Sequence, residues 1–252
     1  MPEMARSSVA GAVGSREPSR SATSRKSRFR WSGGLLLLLA GLCSVFPAWA
    51  AKPLGTASKA TVVLEEVVHG PDQEMPRDML RNAYAVAILP SVIKAGLLIA
   101  GRHGQGLLSV KNKNGWSDPA FITISGGSLG LQAGVSSTDV LLIFRSEDGV
   151  KSLIYGKFLL GTDIAVAAGP VGRNAQASTD AHLKAEVYAW SRARGLFAGL
   201  SLQGASLKID HSANRKVYGP QATAKRILGG HVDKVPEAVD RFRQRLTEYT
   251  TQ

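Results

Sequence analysis

Between residues 95 and 209 the chain alternates glycines with short apolar runs, a pattern that suits strands packed closely and joined by tight turns. The runs are too brief for a bundle of long helices. They predict strands over 96–100, 106–111, 121–125, 129–135, 140–145, 164–168, 186–191 and 196–209, the last with a change of phase and a bulge or bend near Gly204. Asn112-Lys113-Asn114-Gly115 is the clearest hairpin turn, because Asn-Gly accepts positive φ. Residues 148–160 read as a helix between strands.

Helical periodicity frames this region. Ala60, Val63, Leu64 and Val67 fall at i, i+3, i+4 and i+7 after a short linker, 51–55, and Gly70-Pro71 stops that helix. Pro76 starts a second helix that turns Met79, Leu80 and Ala83 inward; the periodicity changes over 85–89, and Pro90 is expected to end the element. Near the C-terminus, Gly219-Pro220 starts a helix carrying Ala224, Ile227 and Leu228 up to Gly229-Gly230. Pro236 starts another with Val239, Phe242 and Leu246 on one face and Arg241, Arg243 and Arg245 largely off it. That last helix either lies on an anionic membrane or docks its stripe on the sheet. The fold class is therefore α+β: a compact, largely antiparallel sheet, open or barrel-like, flanked by helices. An outer-membrane barrel fits poorly, since aromatics make up only 6% and form no evident girdle.

The first fifty residues read as an address. Arg25-Lys26, Arg28 and Arg30 precede the apolar run 35–42, which is shorter than the ~20 residues a span needs, and Ala48-Trp49-Ala50 offers a signal-peptidase site. Cleavage after Ala50 is expected, for an exported, periplasmic or secreted protein. Lipidation at Cys43, the single cysteine, is the competing reading, with Leu42 standing where that peptidase prefers a small residue. The first fifty residues hold seven Lys/Arg and two Asp/Glu, so removing them lowers the formal charge from +12 to +7. A moderately basic exported domain is attracted to anionic headgroups and envelope polymers.

Catalytic motifs are absent from the sequence. There is no G-x-S-x-G elbow, H-E-x-x-H helix, P-loop or G-x-G-x-x-G fingerprint, and Gly104-Gln105-Gly106 lacks the third glycine. His69, His103, His182, His211 and His231 match no local metal spacing. Asp118, Asp139, Asp163 and Asp210 stand near strand ends and turns, where aspartate commonly bonds backbone amides. These observations predict no enzyme, no cofactor and no metal.

Basic positions beside glycines are the better candidates. Lys94-Ala95-Gly96, Gly101-Arg102, Ala168-Gly169-Pro170-Val171-Gly172-Arg173 and Arg192-Ala193-Arg194-Gly195 each set a cation at the edge of an apolar segment, where amides and a charge can receive a phosphate. Arg173 either clasps a phosphate bidentately or ties its loop to a carboxylate such as Asp163. Arg192 and Arg194 would form a basic rim; Lys94 and Arg102 would snorkel. Trp116, with Lys111 and Lys113 at the hairpin tip, either sits at a membrane interface or folds back as a lid.

The same blocks, with Trp116-Ser117-Asp118-Pro119 and Gly195-Leu196-Phe197-Ala198-Gly199, resemble the SYLF lipid-binding family over roughly residues 76–230. The resemblance divides the chain into a leader (1–50), a linker and short helix (51–75), the SYLF-like domain (76–230) and a C-terminal amphipathic helix (231–252). It implies non-enzymatic binding of acidic phospholipid, notably phosphoinositides in eukaryotic members, where the domain accompanies phosphoinositide-binding or SH3 modules near membranes and actin. An exported chain would meet neither actin nor, usually, phosphoinositides, so the expected partner is an anionic membrane surface, with no nucleic acid. The alternative is a structural or protein-interaction module of the cell envelope.

Overall fold

Ala85, Val86, Ala87, Ile88 and Leu89 are all fully buried, which requires that a strand be covered on both faces. The structure, a computed structural model, describes residues 53–69, 77–96, 99–129, 134–156, 158–169, 185–193, 196–199, 202 and 204–251. The leader, Cys43, Pro76, Arg173 and Arg194 lie outside them. In chain order the elements are α1 (Pro53–His69), α2 (Arg77–Arg81), β1 (Ala85–Gly96), β2 (Ile99–Asn112), β3 (Gly115–Trp116), β4 (Ala120–Leu129) and β5 (Gly134–Phe144). Next come α3 (Glu147–Tyr155), β6 (Phe158–Leu159), β7 (Val166–Ala168), β8 (Val187–Ala193), β9 (Leu196–Gly199), β10 (Ser206–Ile209), α4 (His211–Tyr218), α5 (Ala224–Leu228) and α6 (Glu237–Thr251).

The strands form one curled sheet in the order β6-β10-β4-β2-β1-β5-β8-β7, with β3 on β2 and β9 beside β7 on β8. All pairings between these strands are antiparallel except β7 with β8. The α+β expectation holds, in the open half-barrel form. Alternation sorts the side chains: Ala85, Ala87, Leu89, Leu142 and Phe144 join a core with α3 and α5, while Val86, Ile88, Leu141, Ile143 and Trp190 join another with α1 and α6. Helices and loops therefore cover faces that an outer-membrane barrel would turn to lipid.

α1 begins at Pro53, inside the stretch expected as a linker, because proline fits the first helical position without needing an amide partner. Its stripe is as expected, with Ala60, Val63 and Leu64 buried, and it packs against α6 through the same core as Val239, Phe242 and Leu246. The apolar face of α6 is thus docked rather than free for a membrane. Residues 50–252 make one compact unit. Helix α4 was not evident from an apolar stripe; Asp210 caps it by accepting from the Ala213 amide at 2.8 Å. Within α4 the buried Asn214 bonds both the amide and the carbonyl of Phe121, pinning the helix to β4. The helix carrying Ile227 and Leu228 starts later than expected, with Thr223 as its cap.

Pro90 does not end an element. It lies within β1, at an irregularity where the register shifts between Ile88 and Ile93 toward β2 and between Leu89 and Val92 toward β5. A bulge is where a strand tolerates proline, since the missing amide is not needed there. Ser91 follows at φ 55, and its amide donates to Asp139 Oδ1 at 2.9 Å. The bulge curls the sheet so sharply that β1 crosses close over β2: a Cβ on Gly106 would lie 2.2 Å from the Ile88 carbonyl oxygen. Gly104-Gln105-Gly106, which fails as a nucleotide fingerprint, is thus a packing device.

The strand ends also shift. The expected strand 96–100 straddles the β1–β2 reversal, where Gly96 pairs with Ala100, and 129–135 takes in the end of β4 and the start of β5. The expected 148–160 helix stops at Tyr155, and β6 follows. The expected 196–209 strand divides into β9 and β10, with Gly204 at φ 75 just before β10. The Asn112–Gly115 hairpin turn is present, with Gly115 at φ 106.

Candidate functional site

Past the bulge, β1 runs beyond the core, and the strands beside it become rich in glycine and serine. There Lys94 pairs directly with Arg102 of β2, flanked by Ser136 of β5 and Gly126 of β4, so one row across four strands reads Ser136-Lys94-Arg102-Gly126. Two cations opposite one another in an antiparallel ladder repel, a cost that folds normally avoid or neutralise. Among the described residues neither Lys94 nor Arg102 forms an ion pair with a carboxylate. Lys94 is exposed and Arg102 half-buried, and that burial pulls the guanidinium below its usual pKa. The register puts two cationic side chains on one face of adjacent strands, without a carboxylate partner among the described residues and beside the small Ser136 and Gly126.

The other predicted basic positions do not join this row. Lys111 and Lys113 lie at the far end of β2, nine residues or more from Arg102, or about 30 Å along a strand. Lys111 Nζ donates to the Arg81 carbonyl at 2.8 Å, closing the end of α2. Trp116 is folded back: only 5% of it is exposed, it packs in the α1–α6 core, and its Nε1 donates to Thr250 Oγ1 at 2.7 Å. Its ring fills a gap beside α6, and insertion into a bilayer is corrected to a lid role.

Arg192 sits on the face of β8 that α1 covers. It pairs with Glu66 of α1 and lies 3.6 Å from Asp139, whose other oxygen holds the bulge through Ser91. The cation therefore links helix, bulge and strand. Because Glu66 is more than one-third exposed, water screens the pair, and Arg192→Gln is expected to lower stability by about 1 kcal/mol while leaving vesicle affinity unchanged. Chemical denaturation and vesicle sedimentation on the same variant check both halves.

Two aspartates behave as turn residues, Asp163 and Asp210, which accept from the amides of Leu159 and Ala213; Asp139 lies within β5 and accepts from the Ser91 amide of the neighbouring strand. Asp118 instead lies 3.5 Å from Arg243 of α6, and burial raises its carboxyl pKa. The cations off the stripe of α6 are paired too, Arg241 with Glu237 and Arg245 with Glu65 and Glu248. Reading separate strands over 129–135 and 140–145 leaves Ser136 in the gap between them. The run Gly134-Val135-Ser136-Ser137-Thr138, extended residues without a breaker, was the available signal.

A family model described as Ysc84, Las17-binding protein actin regulator, matches residues 125–249. The chain is 40% identical to LAS seventeen-binding protein 3 of Saccharomyces cerevisiae over 185 residues, covering 72% of this chain and 40% of the yeast protein. This chain belongs to the Ysc84 (SYLF) family. It is also 42% identical to protein YSC84 of the same yeast over 177 residues, which cover 69% of this chain and 37% of that one. Bovine SH3 domain-containing YSC84-like protein 1 is 35% identical over 193 residues, 74% of this chain and 56% of the relative. The chain spans about half or less of the curated relatives it matches. The family description names Las17 binding and actin regulation, and the first of these relatives is named for binding LAS seventeen.

Proposed function

We propose that this SYLF protein binds anionic phospholipid headgroups non-enzymatically, and that Lys94 and Arg102 are the cations that receive the phosphate. One observation carries the reading: the two charges oppose each other on adjacent strands without a carboxylate partner among the described residues. Such a pair is an electrostatic liability in the free protein and an asset beside an anionic surface, where each cation contributes about 1 kcal/mol. Arg173 and Arg194 remain part of the proposal as sequence-predicted contributors. Sedimentation with phosphatidylcholine vesicles of graded phosphatidylserine content tests it: bound fraction should climb with anionic content and fall with salt. Binding equal on neutral and anionic vesicles would defeat it.

The proposed place of action is a cell-envelope membrane reached by export, which the basic n-region, apolar run and Ala48-Trp49-Ala50 support. Intact mass of the exported protein should correspond to a chain starting at Ala51; a diacylated Cys43 terminus would replace reversible docking by an anchor. A protein-interaction role is the second reading, favoured by relatives named for binding LAS seventeen. Under it, the cation row meets an acidic protein partner and vesicles bind no better as their anionic content rises.

A further inference from the structure

The two faces of the β1–β5 end differ in chemistry. Lys94 and Arg102 stand on the face that continues the α3–α5 core, whereas Ile93, Ala95 and Val135 alternate onto the opposite one. Ile93 is 39% exposed and Val135 80%, two of the few large apolar side chains left in water among the described residues. The register places Ala95 opposite Val135, one residue nearer the strand reversal than the Lys94–Arg102 row, and Ile93 opposite Ser137, one residue further from it. At about 3.4 Å per residue, Val135 lies roughly one row beyond the cations.

We propose that this end of the sheet docks edge-on into an anionic bilayer, with Lys94 and Arg102 at the phosphates on one side and Val135 and Ile93 entering the headgroup–acyl boundary on the other. The inference rests on the lipid-binding reading and adds to it the part of binding that salt cannot remove. Neutralising the cations against phosphate brings the strands down to the depth at which Val135 leaves water. The alternation of a β-strand makes both contacts available to one edge: neighbouring residues face opposite sides, so an apolar and a cationic strip share the same few rows. Trp116 and the Phe242/Leu246 stripe cannot serve, being buried in the α1–α6 core. The bilayer is favoured over an acidic protein because a cation row and an exposed apolar pair share the same few strand rows, the combination of charge and apolar surface that a headgroup–acyl boundary receives.

The test uses the purified chain with vesicles of phosphatidylcholine and phosphatidylserine at low and high salt. Ile93→Ser with Val135→Ser should weaken binding about tenfold at low and at high salt alike, because the apolar contribution is not screened. Lys94→Gln with Arg102→Gln should do most of its damage at low salt. In the chain cleaved after Ala50, which has lost Trp31 and Trp49, the indole of Val135→Trp should be quenched by lipids brominated near the glycerol end of their chains, against a background of the buried Trp116 and Trp190. Equal high-salt affinity of the serine pair and wild type, or an unquenched Val135→Trp, overturns the insertion while the electrostatic reading survives. Unchanged affinity in the glutamine pair overturns the assignment of the cations, and a wild type with no vesicle binding overturns both.

Discussion

Reversing both charges of the exposed row, Lys94→Glu with Arg102→Glu, is expected to weaken low-salt binding to phosphatidylserine-containing vesicles about 10³-fold. Two reversals change four charge units, each contributing about 1 kcal/mol near an anionic surface, and about 1.4 kcal/mol is a factor of ten. Neutral replacement, Lys94→Gln with Arg102→Gln, changes two units and should cost about 30-fold. Stability supplies the control. The pair repels across the ladder and has no carboxylate partner among the described residues, so Lys94→Gln alone should raise the unfolding free energy by a few tenths of a kcal/mol. A variant that binds worse and folds at least as well identifies residues kept for a ligand. Loss of both properties in Lys94→Gln would instead show that the row is structural.

A large loss of stability is expected from Gly106→Ala. A methyl group there meets backbone, the Ile88 carbonyl oxygen at 2.2 Å and Leu89 Cα at 2.7 Å, so no side-chain rotation relieves the clash. The central β1–β2 pair would have to separate or uncurl, at about 3 kcal/mol or more. Equilibrium denaturation against Gly101→Ala is the comparison, since nothing lies within 4 Å of a Cβ at Gly101. Equal midpoints for the two variants would mean that the crossing over Gly106 is looser than the structure has it.

Local rules read correctly wherever the deciding neighbours are close in sequence. Asn114-Gly115 predicted its turn because positive φ is a property of the residue itself, and Asp163 and Asp210 found amides four and three residues away. The α6 stripe predicted a buried face because helical spacing alone collects Val239, Phe242 and Leu246. Pro90 misled for a physical reason: whether a proline ends a strand or occupies a bulge depends on whether partner strands need its amide. Trp116 misled likewise, since a hairpin tip beside lysines is exposed only if nothing packs over it, and Thr250, 134 residues away, does. Arg192 reads as a free rim cation until α1 brings Glu66 across the sheet.

Composition and short-range pattern thus determined the α+β class, the glycine-rich strands, the flanking helices and the family blocks, because each depends on backbone preference or on spacing within one element. Tertiary structure alone decided which cations are free. Strand pairing placed Lys94 opposite Arg102, helix docking gave Arg192 its carboxylates, and the length of β2 separated Lys111 from the row. Charge interactions are screened beyond roughly 8 Å at physiological salt, so a residue's near partner matters more than its type. In a sheet that partner is set by register, which no single stretch of sequence contains.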